Sequence, residues 1–132
     1  MIPLLRGGEN PRIINISSAS AYHYDEMSHL SIYASTKAAV ERFTRDLATE
    51  LQADEIGVTC VRPGAAGTSF AEGWDEEALT AGIEAWRDAG TYMSVGMETE
   101  QVGNAVAFAL AQPPGVAIDL LEVRPNRLMK KI

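Results

Sequence analysis

Short apolar runs alternate along this chain with longer stretches in which apolar residues return at helical spacing. That alternation is the pattern of α/β units built round a parallel sheet. The run Arg12-Ile13-Ile14-Asn15-Ile16-Ser17-Ser18 predicts a strand that ends in hydroxyls. A strand covered on both faces needs no apolar–polar alternation. A loop of about 14 residues follows, longer than most structural connections and so a candidate functional loop. It carries Tyr22, His23, Tyr24, Met27 and His29. Ser31 is placed to cap a helix running to about residue 53. Val40, Phe43, Leu47 and Leu51 would form one continuous stripe along it.

Gly57 is expected to end that helix, with Val58-Thr59-Cys60-Val61-Arg62 as a second strand closed by Pro63-Gly64. Residues 64–97 form a long excursion with a helix from Asp75 to Ala89. Asp75, Glu76 and Glu77 suit its positive N-terminus, a cheaper explanation than a metal site. Thr99 would cap a further helix to about Ala111, buried through Val102, Ala105, Val106, Ala109 and Leu110 and stopped by Pro113-Pro114. Val116 to Val123 reads as the third strand. The whole of 1–132 is thus expected to be one α/β domain, a partial doubly wound, Rossmann-like parallel sheet of about three strands. So thin a sheet should leave an edge with exposed backbone and apolar side chains.

Composition sharpens this in three ways. With 46% hydrophobic and 22% charged residues, the chain resembles a folded globular protein rather than a disordered one. A net charge of −7, with 11 scattered Lys and Arg, argues against nucleic acid or an acidic membrane as partner. No apolar stretch approaches the ~20 residues that span a bilayer. Met1 to Arg6, broken by Pro3, is too short for a signal peptide, so the expected location is cytoplasmic. The one cysteine, Cys60, reads as a small buried hydrophobe rather than a nucleophile. His23 and His29 have no partners at convincing metal-ligand spacing and are expected to face solvent; no metal is expected.

Ser18, Tyr33 and Lys37 carry the candidate chemistry. Ser18 lies at the C-terminal end of a predicted strand, where open α/β sheets place ligands. Tyr33 and Lys37, four apart, are neighbours on one helix face. A tyrosine is a poor base at neutral pH, and an adjacent ammonium stabilises its phenolate. Ser18 can hydrogen-bond an oxygen on which charge develops, while Tyr33 moves the proton. Alternation on a strand lets only one of Ser17 and Ser18 point into such a site, which leaves Ser17 as the rival.

A Tyr-x-x-x-Lys pair alone is common on helices, but its context is specific. The run 12–18, then Tyr33-Ala34-Ser35-Thr36-Lys37-Ala38-Ala39, then Val61-Arg62-Pro63-Gly64 followed by Thr68, resembles the short-chain dehydrogenase/reductase family. The likeness is dense from about Pro3 to Gly67 and weaker beyond. It implies a hydride transfer between NADP or NAD and a small alcohol or ketone. Ser18 would orient the substrate oxygen, Tyr33 would be the acid/base, and Lys37 would tune Tyr33 and bind the nicotinamide ribose. Pro63 and Gly64 would turn beneath the nicotinamide, with Ala65, Ala66 and Thr68 contacting its carboxamide or phosphates. The ending Ile118 to Pro125 resembles a branch that includes NADP-dependent dehydrogenases of hydroxy amino acids. The helix 31–53 would pair with its counterpart in a homo-oligomer.

The sequence departs from the family in one large respect. Complete members are about twice this length, and no glycine-rich loop follows a strand here to cradle a pyrophosphate. Nor is there a residue to tell NAD from NADP, or the helix asparagine of the family's tetrad. Two readings follow: an oxidoreductase that needs the missing N-terminal half, or a truncated non-catalytic module for oligomerisation or binding. Among Tyr22, His23, Tyr24, Met27, Phe70, Trp74, Trp86, Met93 and Met97, only a few are expected to line a site.

Overall fold

The computed structural model describes residues 1–23, 28–89 and 96–126. A short helix α1 (Ile2–Leu5) leads into β1 (Arg12–Ile16), then α2 (Ser31–Glu50), β2 (Gly57–Pro63), α3 (Glu76–Ala89), α4 (Thr99–Leu110) and β3 (Leu120–Val123). The strands form one parallel sheet in the order β1-β2-β3. Ile14 pairs with Thr59, and Val61 with Leu121. This is the expected Rossmann-like half-sheet. Helices α2 and α4 both pack on β1 and β2. Asn15 of β1 reaches Thr44 on α2 while Arg12, on the alternate face, reaches Gln112 and Pro113 just past α4, which puts the helices on opposite faces. Among the described residues, nothing pairs with the outer edge of β1 or of β3. Both edges show apolar side chains to solvent, with Ile16 40% and Leu120 43% exposed.

The core beneath α2 is built from Leu51, Ile56 and Val58, with Ile2, Leu5, Ile13, Leu47 and Ala48 packed round them. The expected stripe holds at Val40, Leu47 and Leu51 and fails at Phe43, which is 58% exposed. Thr44 takes the inward place instead. Its hydroxyl donates to the Val40 carbonyl (2.6 Å) and accepts from Asn15 on β1 (2.9 Å), so a polar residue is buried at no cost in lost hydrogen bonds.

Several element ends also shift. Leu30 and Glu98, rather than Ser31 and Thr99, hold the N-cap positions of α2 and α4; Glu98 forms a reciprocal capping box with Gln101. Helix α2 ends at Glu50, and the chain reverses through Glu55 in the left-handed region, so Gly57 opens β2 rather than closing the helix. Leu110 is 47% exposed and leaves Ala109 as the buried residue of α4.

Strand β3 starts at Leu120, not Val116. The Arg12 guanidinium explains why: it takes the carbonyls of Gln112, Pro113 and Val116 at 2.7–2.8 Å, holding that segment as a turn.

Truncating the centre of this core tests the packing: Leu51→Ala should destabilise the chain by about 2–5 kcal/mol in urea unfolding. A loss under ~0.5 kcal/mol, the range of ordinary surface changes, would place Leu51 outside the core.

Candidate active site

The two serines at the end of β1 part company as strand alternation requires. Ser17 is buried, and its hydroxyl donates towards Glu41 (2.8 Å) and the Lys37 carbonyl (3.2 Å). Its amide still pairs with the Val61 carbonyl, carrying the ladder one residue past the strand. Ser18 is half-buried and caps the 3-10 turn Ala19–Ala21. Its oxygen accepts from the Ser20 amide (3.3 Å) and the Ser20 hydroxyl (3.0 Å). Both contacts use Ser18 as acceptor, which leaves its own proton to offer a ligand.

Tyr33 and Lys37 occupy the first two turns of α2. The Lys37 ammonium donates to the Ile16 carbonyl (3.0 Å), strapping the helix to the strand end two residues before Ser18. It lies 5.7 Å from the centroid of the Tyr33 ring. A single carbonyl leaves the ammonium with further N–H donors. The Tyr33 ring packs on Phe70 (4.7 Å between centroids), which packs on Trp74 (5.0 Å). Phe70 touches the phenol and Trp74 lies behind Phe70; both rings are partly exposed.

Pro63 ends β2, and the turn after it is fixed by backbone contacts. The Gly64 amide donates to Val123 (2.7 Å), and a Cβ at Gly64 would lie 2.9 Å from that of Arg124, so no larger residue fits unshifted. Ala65, Ala66 and Gly67 run beside Met97: its amide donates to Ala65 (2.9 Å) and its carbonyl accepts from Gly67 (2.8 Å). Thr68 caps the turn Ser69–Ala71, accepting from the Phe70 amide (3.2 Å). Phe70 thereby joins this turn to Tyr33. The residues singled out on β1, α2 and β2 converge at one end of the sheet.

Behind them lies a charged cluster that the sequence pattern did not reveal. Arg62, 6% exposed, grips Glu41 of α2 with two hydrogen bonds (2.6 and 2.7 Å) and Glu122 of β3 with a third (2.8 Å). The Tyr22 ring covers the guanidinium at 4.6 Å. His23 meets Glu122 at 3.1 Å and is largely buried rather than solvent-facing; His29 is the exposed one. Tyr22 and His23 therefore both contact this cluster. Signals for it existed: Arg62 shares a strand face with Val58 and Cys60, and Glu41 lies one turn beyond Lys37.

Burial by itself would raise the pKa of Glu41, but the hydrogen bonds from Arg62 and Ser17 outweigh it and hold the carboxyl below its ordinary value. Glu122 is lowered in the same way: burial opposes, while hydrogen bonds from Arg62 and His23 prevail. Arg62 is raised by its hydrogen bonds to Glu41, against burial. Cys60 is buried as expected, and burial pushes its thiol up, away from nucleophilic use.

Other expected residues lie elsewhere. Trp86 is buried and donates its indole N–H to the Ser28 carbonyl, while Met97 is buried beside Ala66. Tyr24, Met27 and Met93 fall outside the described residues. Asp75 caps α3 by accepting from the Ala78 amide (2.9 Å), and Glu76 and Glu77 lie in the helix's first turn. A groove of about 580 Å³ lies between the later turns of α2 and residues 115–120, and neither Ser18, Tyr33 nor Lys37 lines it.

Comparison with known proteins decides the family. The family model for short chain dehydrogenases matches residues 1–79. The chain belongs to the short-chain dehydrogenase family. It is 32% identical to dehydrogenase/reductase SDR family member 11 of Gallus gallus, over 92% of this chain and 46% of that protein. It is 37% identical to a short-chain type dehydrogenase/reductase of Picea abies, over 93% of this chain and 42% of the relative. Among solved structures, a short chain dehydrogenase from Mycobacterium paratuberculosis bound to NAD superposes with a TM-score of 0.72 at 25% identity, covering 92% of this chain and 46% of that one. The closed form of a serine dehydrogenase complexed with NADP+ gives 0.65 at 29% identity, covering 86% and 44%. The chain thus spans somewhat less than half the length of these relatives.

The lowered glutamates set an acid limit. A carboxyl with a depressed folded-state pKa adds stability that is present above its ordinary value and lost as pH falls through the folded one. The chain should therefore lose stability as pH drops below about 4.5, the ordinary value for both groups. The Glu41→Gln/Glu122→Gln double variant should be weaker at neutral pH and flatter below it, measured by urea midpoints. Parallel profiles for the two proteins would contradict the coupling.

Proposed function

We propose that this chain supplies the acid–base half of an NAD(P)-dependent oxidoreductase of small alcohols or ketones. What carries the reading is Lys37, strapped to the end of the strand that delivers Ser18 and lying beside the Tyr33 ring. In the forward sense of carbonyl reduction, the Ser18 hydroxyl hydrogen-bonds the substrate oxygen, keeping its own proton, and steadies the charge growing there. Tyr33 delivers the proton that completes the alcohol. Lys37 keeps its ammonium near the phenol as that proton leaves, which stabilises the phenolate. The Phe70 ring, backed by Trp74, packs on the Tyr33 ring and holds it in place.

The residues present fit the nicotinamide end of the cofactor. Lys37 has N–H donors left for ribose hydroxyls, and the Thr68 hydroxyl, spent only as acceptor, can donate to the carboxamide or a phosphate. Pro63, Gly64, Ala65 and Ala66 form the turn beside them. When bound, the cofactor supplies or accepts the hydride. Its pyrophosphate needs a glycine-rich strand–loop–helix that these 132 residues do not contain. We therefore read activity as depending on that half, carried on a longer chain or on a second polypeptide, with the cytoplasm as the place of work.

One observation favours self-association alongside catalysis. Ile32 and Phe43 stand 83% and 58% exposed on α2, an apolar surface suited to pairing with a second copy. The same surface would serve a non-catalytic oligomerisation module.

Two measurements separate these readings. In the protein as its gene encodes it, Tyr33→Phe should cut turnover by about 10²-fold or more while leaving cofactor affinity nearly intact. Retained turnover would remove Tyr33 from its role. Titrating NADPH and NADH against residues 1–132 alone, followed by nicotinamide fluorescence, should show no saturable micromolar binding; saturation would contradict the need for a second half.

A further inference from the structure

We propose that Ser17, Glu41 and Arg62 are positioning residues, which set Ser18 and Lys37 in register across the joint between β1 and α2. The inference rests on the reading of Ser18 and Lys37 given above. Beyond the Asn15–Thr44 bond, three polar contacts cross this joint at the strand end. Lys37 Nζ donates to the Ile16 carbonyl (3.0 Å), and the Ser17 hydroxyl faces both Glu41 Oε1 (2.8 Å) and the Lys37 carbonyl (3.2 Å). Ser17 stands between Ile16 and Ser18, so fixing its side chain inward fixes the direction in which Ser18 leaves the strand.

Glu41 can hold Ser17 only if it is itself held. Arg62 does so through both carboxylate oxygens, from Nε (2.7 Å) and Nη2 (2.6 Å). Arg62 Nη1 is anchored to Glu122 on β3 (2.8 Å), where His23 also bonds, with Arg124 at 4.0 Å. The Tyr22 ring over the guanidinium comes from the segment just after the turn that Ser18 caps. The ties therefore form a closed circuit through the end of β1, the helix, β2 and the turn that carries Ser18, with β3 anchored to it through Glu122.

A buried ion pair commonly adds no more stability than well-packed apolar residues would, so its placement calls for another explanation. Here it is a stiff, directional anchor beside the residues that must be placed within fractions of an ångström. The low pKa of Glu41 keeps the anchor charged at neutral pH.

The test uses the protein as its gene encodes it, with Ser17→Ala, Ser17→Thr and Glu41→Gln. Ser17→Ala removes one buried hydroxyl and its bond to a charged carboxylate, so a modest fall in melting temperature is expected while the fold is kept. Hydrogen exchange of the peptide covering residues 17–22 should quicken, and kcat should fall about tenfold at unchanged cofactor KM. Ser17→Thr, which keeps the hydroxyl, should recover both, and Glu41→Gln should move both in the direction of Ser17→Ala. Ser17→Ala with the parent's exchange and kcat would overturn the proposal. So would equal losses in Ser17→Ala and Ser17→Thr, which would mark a packing role. If the parent turns over no alcohol or ketone, the oxidoreductase reading falls, while the exchange comparison still decides the positioning role.

Discussion

A guanidinium buried on the covered face of a parallel sheet must find its counter-charges there, because leaving one unpaired costs several kcal/mol. Arg62 meets that demand with one glutamate from the helix above and one from the strand beside it. The consequence is mechanical. Helix α2, β2 and β3 cannot slide past one another without breaking charged hydrogen bonds in a site largely closed to water. Apolar contacts such as Leu51 on Val58 hold the other end of the helix, but they tolerate small displacements. Directional polar bonds tolerate far less, and they sit at the end of the sheet where Ser18 and Lys37 emerge.

This division of labour runs along α2. Its last turns bury Leu47 and Leu51 against the sheet, its middle is pinned by Thr44 to Asn15, and its first turns carry Tyr33 and Lys37. Stability is concentrated at one end and candidate chemistry at the other. The lysine does two jobs at once: its stem and one N–H strap helix to strand, while its charge stays beside the phenol. A Lys37→Met change would therefore disturb both joint and electrostatics, which makes it a poor variant for separating them.

What the sequence made legible was local. Strand and helix order followed from apolar runs and helical spacing, and so did the placement of Ser18 just past a strand end and of Tyr33 and Lys37 four apart on one helix. What it hid depends on residues far apart in the chain. Arg62 and Glu41 are 21 positions apart, and His23 and Glu122 are 99 apart, so no local pattern pairs them. The late start of β3 is set by Arg12, about a hundred residues earlier in the chain, holding the carbonyls of 112, 113 and 116. Phe43 misled because a stripe can close through Thr44 once Asn15 supplies its hydrogen bond. Periodicity registers hydrophobicity, and a satisfied threonine is invisible to it.

Membership of the short-chain dehydrogenase family motivates the proposed hydride chemistry, and the geometry at the end of the sheet is where that proposal places it. The direct measurement is isotope transfer. The protein as its gene encodes it would be given NADPH or NADH labelled with deuterium at the hydride position, together with a panel of small ketones and aldehydes. Deuterium appearing on the carbinol carbon of a product, and lost in Ser18→Ala, is the expected result. Product formed without the label, or label transfer undiminished in Ser18→Ala, would contradict hydride chemistry at this site.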